Sequence, residues 1–334
     1  MAFAWLVIVV ASNFTVDRSR ANVATLGGAA GSAVGERCRI DRVRATCCAD
    51  RRNEKGGAMP LVQNTAKRKL TEGGIALGLI LHHLRTAAAP ALAAAGGHDF
   101  LFIDMEHGAF SVQEATQLCL ASLPTGITPL VRVCAGAIDE ATRLLDNGAL
   151  GIVVPHVDTA KQARAIADAF RYPPQGTRSW GGSPAVYGYL APPMAEAQAA
   201  INNEILIVVM VESPEAVENA FDVAAVDGID VLLIGSSDLT SALGIAGQMS
   251  HEKLVDAYAE VGAACRKHGK VLGMGGISGE EDAARYVGMG ARFITSGSDH
   301  GFLVSGAAAR AEFLRGLKVG EGEVGRKNRK GRKN

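Results

Sequence analysis

Acidic, basic and imidazole side chains fall where long apolar runs stop. Glu212 closes ILIVVMVE and Asp238 follows VLLIGSS. Burying a carboxylate is costly unless it is paired or holds a metal. Two carboxylates converging on one mouth suit a hard cation such as Mg²⁺ or Mn²⁺, with positions left for water and substrate oxygens. Both acids also stand beside the helix-like runs SPEAVEN and LTSALG, and a helix N-terminus favours an acid. Spacing alone leaves cation binding and capping equally open. Arg132, within PLVRV, needs an anion among its Val and Leu neighbours. A salt bridge would satisfy it, and so would a substrate carboxylate or enolate. His107 follows an acid-rich strand end in DMEHG, and Asp146 lies at a helix end before Asn147 and Gly148. An imidazole held by a carboxylate makes a better base near neutral pH. Sequence spacing does not itself join these two.

The elements that must position these residues alternate through about 72–316. Strand candidates are 75–81, 99–106, 128–133, 150–157, 205–212, 230–236, 270–276 and 292–298, separated by Ala-rich amphipathic runs such as SVQEATQLCLAS and TAKQARAIADAF. Several helices open on Ser, Thr or Asp-type caps and end in Gly. Eight near-continuous apolar strands, each followed by a helix, predict a parallel (β/α)₈ TIM barrel; periodicity alone does not exclude an open doubly wound sheet. Catalytic groups of such a barrel sit at the C-terminal strand ends, where the polar residues above fall. The long gap at about 171–204 reads as a functional loop, with Arg178, Trp180 and Tyr187 as candidates for choosing the substrate's second half.

Bulk properties agree. The 334 residues are 48% apolar but only 5% aromatic, which suits close helix–sheet packing. Thirty-four basic and 34 acidic residues give no net charge, so no nucleic-acid partner or anionic membrane is expected. The six cysteines form no CxxC pair, which points to free thiols in a reducing, cytoplasmic setting. Residues 1–58 lack a sustained period and read as a poorly ordered extension, or as sequence upstream of a start at Met59. The apolar run at 2–11 is too short to span a bilayer and has no basic residue before it. Residues 59–317 form the expected barrel. Residues 318–334 form a disordered basic tail ending GRKNRKGRKN.

The succession IDMEHG, PLVRV, LLDNGALGIVVPHV, YPPQGTRS, VMVESPEAVEN, IGSSDL and FITSGSDHGFL resembles the HpcH/HpaI aldolase/citrate lyase family over about residues 60–316. The resemblance implies a class II pyruvate aldolase that reversibly cleaves a 4-hydroxy-2-oxo acid to pyruvate and an aldehyde through a metal-stabilised enolate. It implies Glu212 and Asp238 as ligands of Mg²⁺ or Mn²⁺, with Co²⁺ or Zn²⁺ as further candidates. Arg132 would hold the keto oxygen, and His107 would act as acid/base with Asp146 orienting it. Gly235, Ser236 and Ser237 would hold the pyruvate carboxylate. It also implies a homo-oligomer, a hexamer with the last helix exchanged between protomers. Two positions depart from the pattern: Met210 stands where the family usually has Gln, and IGSSDL replaces IGPSDL.

An oxaloacetate-type decarboxylase or a CoA-ester lyase on the same barrel is the alternative. A Schiff-base aldolase needs a Lys at a C-terminal strand end, and Lys270 instead begins its strand.

Overall fold

The computed structural model describes residues 59–319. The expected extension at 1–58 and nearly all of the basic tail lie outside the described residues. Eight parallel strands close into a barrel in sequence order: β1 Ala76–Leu81, β2 Phe100–Asp104, β3 Thr128–Arg132, β4 Gly151–Val154, β5 Leu206–Val211, β6 Val231–Gly235, β7 Val271–Gly275 and β8 Ala291–Ser298. The pairing of β8 with β1 completes the ring and decides against an open sheet. The strands match the apolar runs to within a few residues. β1 and β8 end where expected, and the other six stop one to three residues earlier at their C-terminal ends.

The helices, in chain order, are α1 Thr65–Thr71, α2 Ala89–Ala95, α3 Val112–Ser122, α4 Ile138–Asp146, α5 Ala160–Phe170, α6 Met194–Glu204, α7 Pro214–Glu218, α8 Ala220–Ala224, α9 Ser236–Ala242, α10 Glu252–His268, α11 Glu280–Gly288 and α12 Asp299–Arg315. Local chemistry starts several of them. Ser111 and Thr159 form capping boxes with Glu114 and Gln162, satisfying otherwise orphaned N–H groups. Gly269 ends α10 in the left-handed conformation. The 171–204 gap is not all loop: its last third is α6, entered from Pro193.

Two apolar clusters hold the barrel. The outer one lies between strands and helices and includes Leu101, Ile103, Val131, Ile152 and Ile207. The inner one fills the barrel with Phe100, Phe102, Leu130, Val208, Leu233 and Phe293, and Ala66 and Leu70 of α1 join it. Side chains alternate along each strand, so one set faces the helices and the other the axis. The Phe100 and Phe293 rings stack at 4.4 Å between centroids. Gly78, on the strand between them, leaves the space that Phe100 occupies; a Cβ there would lie 2.0 Å from the ring. Among the described residues no helix is long and apolar enough to cross a membrane.

Gly78→Ala should therefore overpack the inner layer and destabilise the fold by about 1–3 kcal/mol. Denaturant unfolding of the variant beside the parent chain measures this as a lower midpoint at unchanged slope.

Candidate active site

The axis-facing rows change character near their C-terminal ends. On β2, Phe100 and Phe102 give way to Asp104; on β3, Leu130 gives way to Arg132; past β5, Met210 gives way to Glu212. Register places Asp104 directly beside Arg132. The change from apolar to polar opens a cavity of about 290 Å³ at the barrel mouth. Arg132, Glu212, Asp238, His82 and His107 reach it, over an apolar floor of Ile80, Phe102, Met210 and Leu233.

Arg132 is buried and held in place by a two-point fork. Its Nε donates to Asp104 Oδ1 at 2.9 Å and its Nη2 to Asp104 Oδ2 at 2.5 Å. Its Nη1 lies 3.2 Å from Glu106 Oε2 and 3.8 Å from Met210 Sδ. Such a fork fixes the guanidinium plane as well as its charge. Burial acts to raise the Asp104 carboxyl, but hydrogen bonds and charge from Arg132 outweigh it and hold the group below the usual carboxylate range. Asp104 also accepts from the His107 backbone N–H and lies 2.8 Å from His82 Nε2.

Glu212 is 5% exposed. Its carboxyl is pushed up by burial and by the negative charge of Asp238, against the His156 backbone N–H and the charge of Arg132. His156 is held in the left-handed region at φ 55°, a conformation that costs energy in a non-glycine residue. That geometry aims its N–H at Glu212 Oε2, 2.9 Å away. Its ring bridges Glu212 at 3.2 Å and Glu106 at 3.4 Å. Gly235 leaves room for the acid, because a Cβ there would stand 2.7 Å from Glu212 Oε1.

Helix capping does not account for Glu212. The cap of α7 is Ser213, whose hydroxyl accepts from Ala216 N–H. Asp238 sits in the first turn of α9, exposed at the rim of the cavity. Three carboxylates, of Asp104, Glu106 and Glu212, thus act on the guanidinium of Arg132, and Asp238 borders the same cavity.

The other expected residues are placed unevenly. His107 lines the cavity with an exposed ring, 3.9 Å from Glu106 Oε2. Asp146 is not brought to it within this chain. The Asp146 carboxylate instead accepts from Arg178 Nη2 at 2.6 Å, because the 171–204 segment folds back over the end of α4. Gly235, Ser236 and Ser237 all border the cavity, but the buried Ser236 hydroxyl is bonded to Tyr258 Oη at 2.9 Å. Arg178 lies over the Tyr172 ring, Trp180 packs edge-on against Tyr172, and Tyr187 is buried; none of the three borders the cavity. Sequence reasoning missed His82. Its signal was a HisHis pair immediately after the first apolar run. Asp104, in IDMEHG, and His156, in IVVPHV, also stand at strand ends, where only the structure gives them partners.

The Asp104 carboxyl is depressed in the fold, so its contribution to stability is complete above the ordinary carboxylate range. It is lost as pH falls through the lower folded value. Asp104→Asn should therefore be destabilising at neutral pH and show a shallower loss on acidification, measured as urea midpoints across an acid pH series.

Comparison with known proteins bears on this geometry. The profile of the HpcH/HpaI aldolase/citrate lyase family matches residues 83–306. The chain is 35% identical over 255 residues to a 4-hydroxy-4-methyl-2-oxoglutarate aldolase of Hapsidospora irregularis, covering 75% of this chain and 94% of that protein. It is 41% identical over 192 residues to one of the same description from Chaetomium globosum, covering 56% and 70%. The crystal structure of an HpcH/HpaI aldolase from Desulfitobacterium hafniense superposes with a TM-score of 0.71 at 30% identity, covering 75% of this chain and 97% of that one. With motifs, barrel and relatives in agreement, the chain belongs to the HpcH/HpaI aldolase/citrate lyase family and is a carbon–carbon lyase of the aldolase type.

Proposed function

We propose that this aldolase reversibly cleaves a 4-hydroxy-2-oxo acid to pyruvate and a carbonyl compound, with Arg132 stabilising the enolate. The observation that carries the reading is the buried guanidinium of Arg132, locked by Asp104 and facing one cavity with Glu212 and Asp238. A cavity of about 290 Å³ lies at the small end of ligand pockets, which suits a short oxo acid.

The family's aldolases depend on a divalent metal, and the donor set here fits one. Glu212 and Asp238 are all-oxygen donors; burial, and to a lesser degree the charge of Asp238, raises the Glu212 carboxyl, and a hard cation held by the two would offset both effects. We assign Glu212 and Asp238 as its ligands and Mg²⁺ or Mn²⁺ as the ion. Bound there, the ion would supply Lewis-acid polarisation of the oxo acid.

The chain's own residues do the rest. His107 takes the proton of the C4 hydroxyl, directly or through water. The C3–C4 bond then breaks, and its electron pair moves through C2–C3 onto the C2 oxygen. Arg132 donates to that oxygen as its charge develops, already oriented by Asp104. A proton returned to C3 gives pyruvate. Backbone N–H groups from Gly235 to Ser237, at the start of α9, hold the pyruvate carboxylate. Asp146 orients His107 only if the two meet between copies of the chain. Exposed Phe302, Leu303, Phe313 and Leu314 on α12 support such a homo-oligomer. The free thiols of Cys119, Cys134 and Cys265 suit a cytoplasmic setting.

A pyruvate-release assay over a panel of 4-hydroxy-2-oxo acids tests the reading, with and without Mg²⁺ or Mn²⁺. The relatives place 4-hydroxy-4-methyl-2-oxoglutarate first in that panel, with oxaloacetate included to expose decarboxylation. Arg132→Ala should lower kcat on the cleaved substrate by about 10²–10³-fold, and Glu212→Gln should remove the metal dependence. Pyruvate release at parental rates from Arg132→Ala would refute the mechanism.

A further inference from the structure

Beside the cavity, at the junction that closes the barrel, the chain gathers a second set of metal-ligating side chains. His82 and His83 follow the last residue of β1, and Asp299 and His300 open α12 after β8. Because β8 pairs with β1, these two sequence-distant ends meet. Asp299 fastens them: its carboxylate accepts the backbone N–H groups of His82, His83, Leu84 and His300. Burial acts to raise that carboxyl, but the four N–H groups outweigh it and hold it at about 2.

The side chains then converge. His82 Nδ1 lies 3.3 Å from His300 Nδ1, and His300 Nδ1 lies 3.4 Å from Asp299 Oδ1. One donor atom from each of the three residues lies within 4.8 Å of the others. A tetrahedral ion with ligands at about 2.0–2.1 Å has ligand–ligand edges of about 3.3–3.4 Å. The two separations known here match those edges.

The outer contacts also suit a metal. His82 Nε2 sits 2.8 Å from Asp104 Oδ2. A carboxylate only accepts, so the proton is on Nε2 and the Nδ1 lone pair points at His300. His300 Nε2 faces the Ser298 hydroxyl at 3.4 Å. The His300 side chain is 49% exposed, which leaves an entry path and a position for water.

We propose that His82, His300 and Asp299 form a second metal site, for Zn²⁺ or a similar borderline transition ion, separate from Glu212 and Asp238. Mixed imidazole and carboxylate donors select such an ion, whereas the carboxylate pair suits a hard one. The two sites are linked through His82, which shares Asp104 with Arg132. An ion at the new site therefore restrains the group that orients the catalytic guanidinium.

The full-length protein, saturated with Mg²⁺, is titrated with Zn²⁺ against a chromophoric chelator. Co²⁺ is added in a parallel experiment read by visible absorption. The parent chain should bind one Zn²⁺ that Mg²⁺ does not displace, and Co²⁺ should give the intense bands of a four-coordinate ion. Glu212→Gln should keep both signals. His300→Ala should weaken Zn²⁺ binding by about 100-fold and abolish the intense Co²⁺ bands, with circular dichroism reporting that the barrel is intact. If His300→Ala binds Zn²⁺ as the parent does, or the parent binds none under Mg²⁺, the proposal is overturned and the two imidazoles merely share a proton. Loss of binding in Glu212→Gln alone would also overturn it, while leaving the aldolase reading untouched.

Discussion

A guanidinium buried inside a barrel must have a fixed anion beside it, and Asp104 provides one for Arg132. The pair is sequestered from water, so its mutual attraction has to offset the desolvation of both groups. The two-point geometry does this while leaving Nη1 turned toward Glu106 and Met210. Arg132 is thereby positioned before any ligand arrives. A donor that need not reorganise as charge develops is worth far more than the same donor on a mobile surface chain.

The barrel makes that pairing unavoidable. Strand alternation sends every second residue to the axis, and the β2–β3 register sets Asp104 against Arg132. The same geometry carries Glu212 up to the level of Gly235, whose missing side chain admits the carboxylate. The apolar rows beneath keep the floor closed, so polar groups appear only where the strands end. Gly78 and Gly235 leave room for the larger Phe100 and Glu212 beside them, and this interlocking shapes the barrel interior.

The electrostatics of the mouth are asymmetric. Acids outnumber permanent cations there, and the ring of His156 is threaded between two of them at a backbone conformation few residues tolerate. Such strain persists only where surrounding structure over-determines it. The departure at Met210 fits the same frame. A thioether lies 3.8 Å from Arg132 Nη1, where an amide would compete for its hydrogen bonds. The cavity wall is therefore more apolar, and the guanidinium keeps more of its donor capacity free.

Sequence alone carried the fold, because eight apolar runs of strand length alternating with amphipathic helices have few ways to bury both faces of a parallel sheet. It also carried the order of the charged residues at the strand ends, from Arg132 through Glu212 to Asp238, since those stand out against Val and Leu. What it could not supply were relations across space. Whether Glu212 capped a helix was undecided until Ser213 proved to be the cap. The pairing of Asp146 with Arg178 and the meeting of His82 with His300 join residues 32 and 218 positions apart. Periodicity specifies which face a side chain occupies, but only closure of the ring decides which faces meet. Asp104, which orients Arg132, and the histidines at the ends of β1 and β8 were therefore visible as letters and came together only in three dimensions.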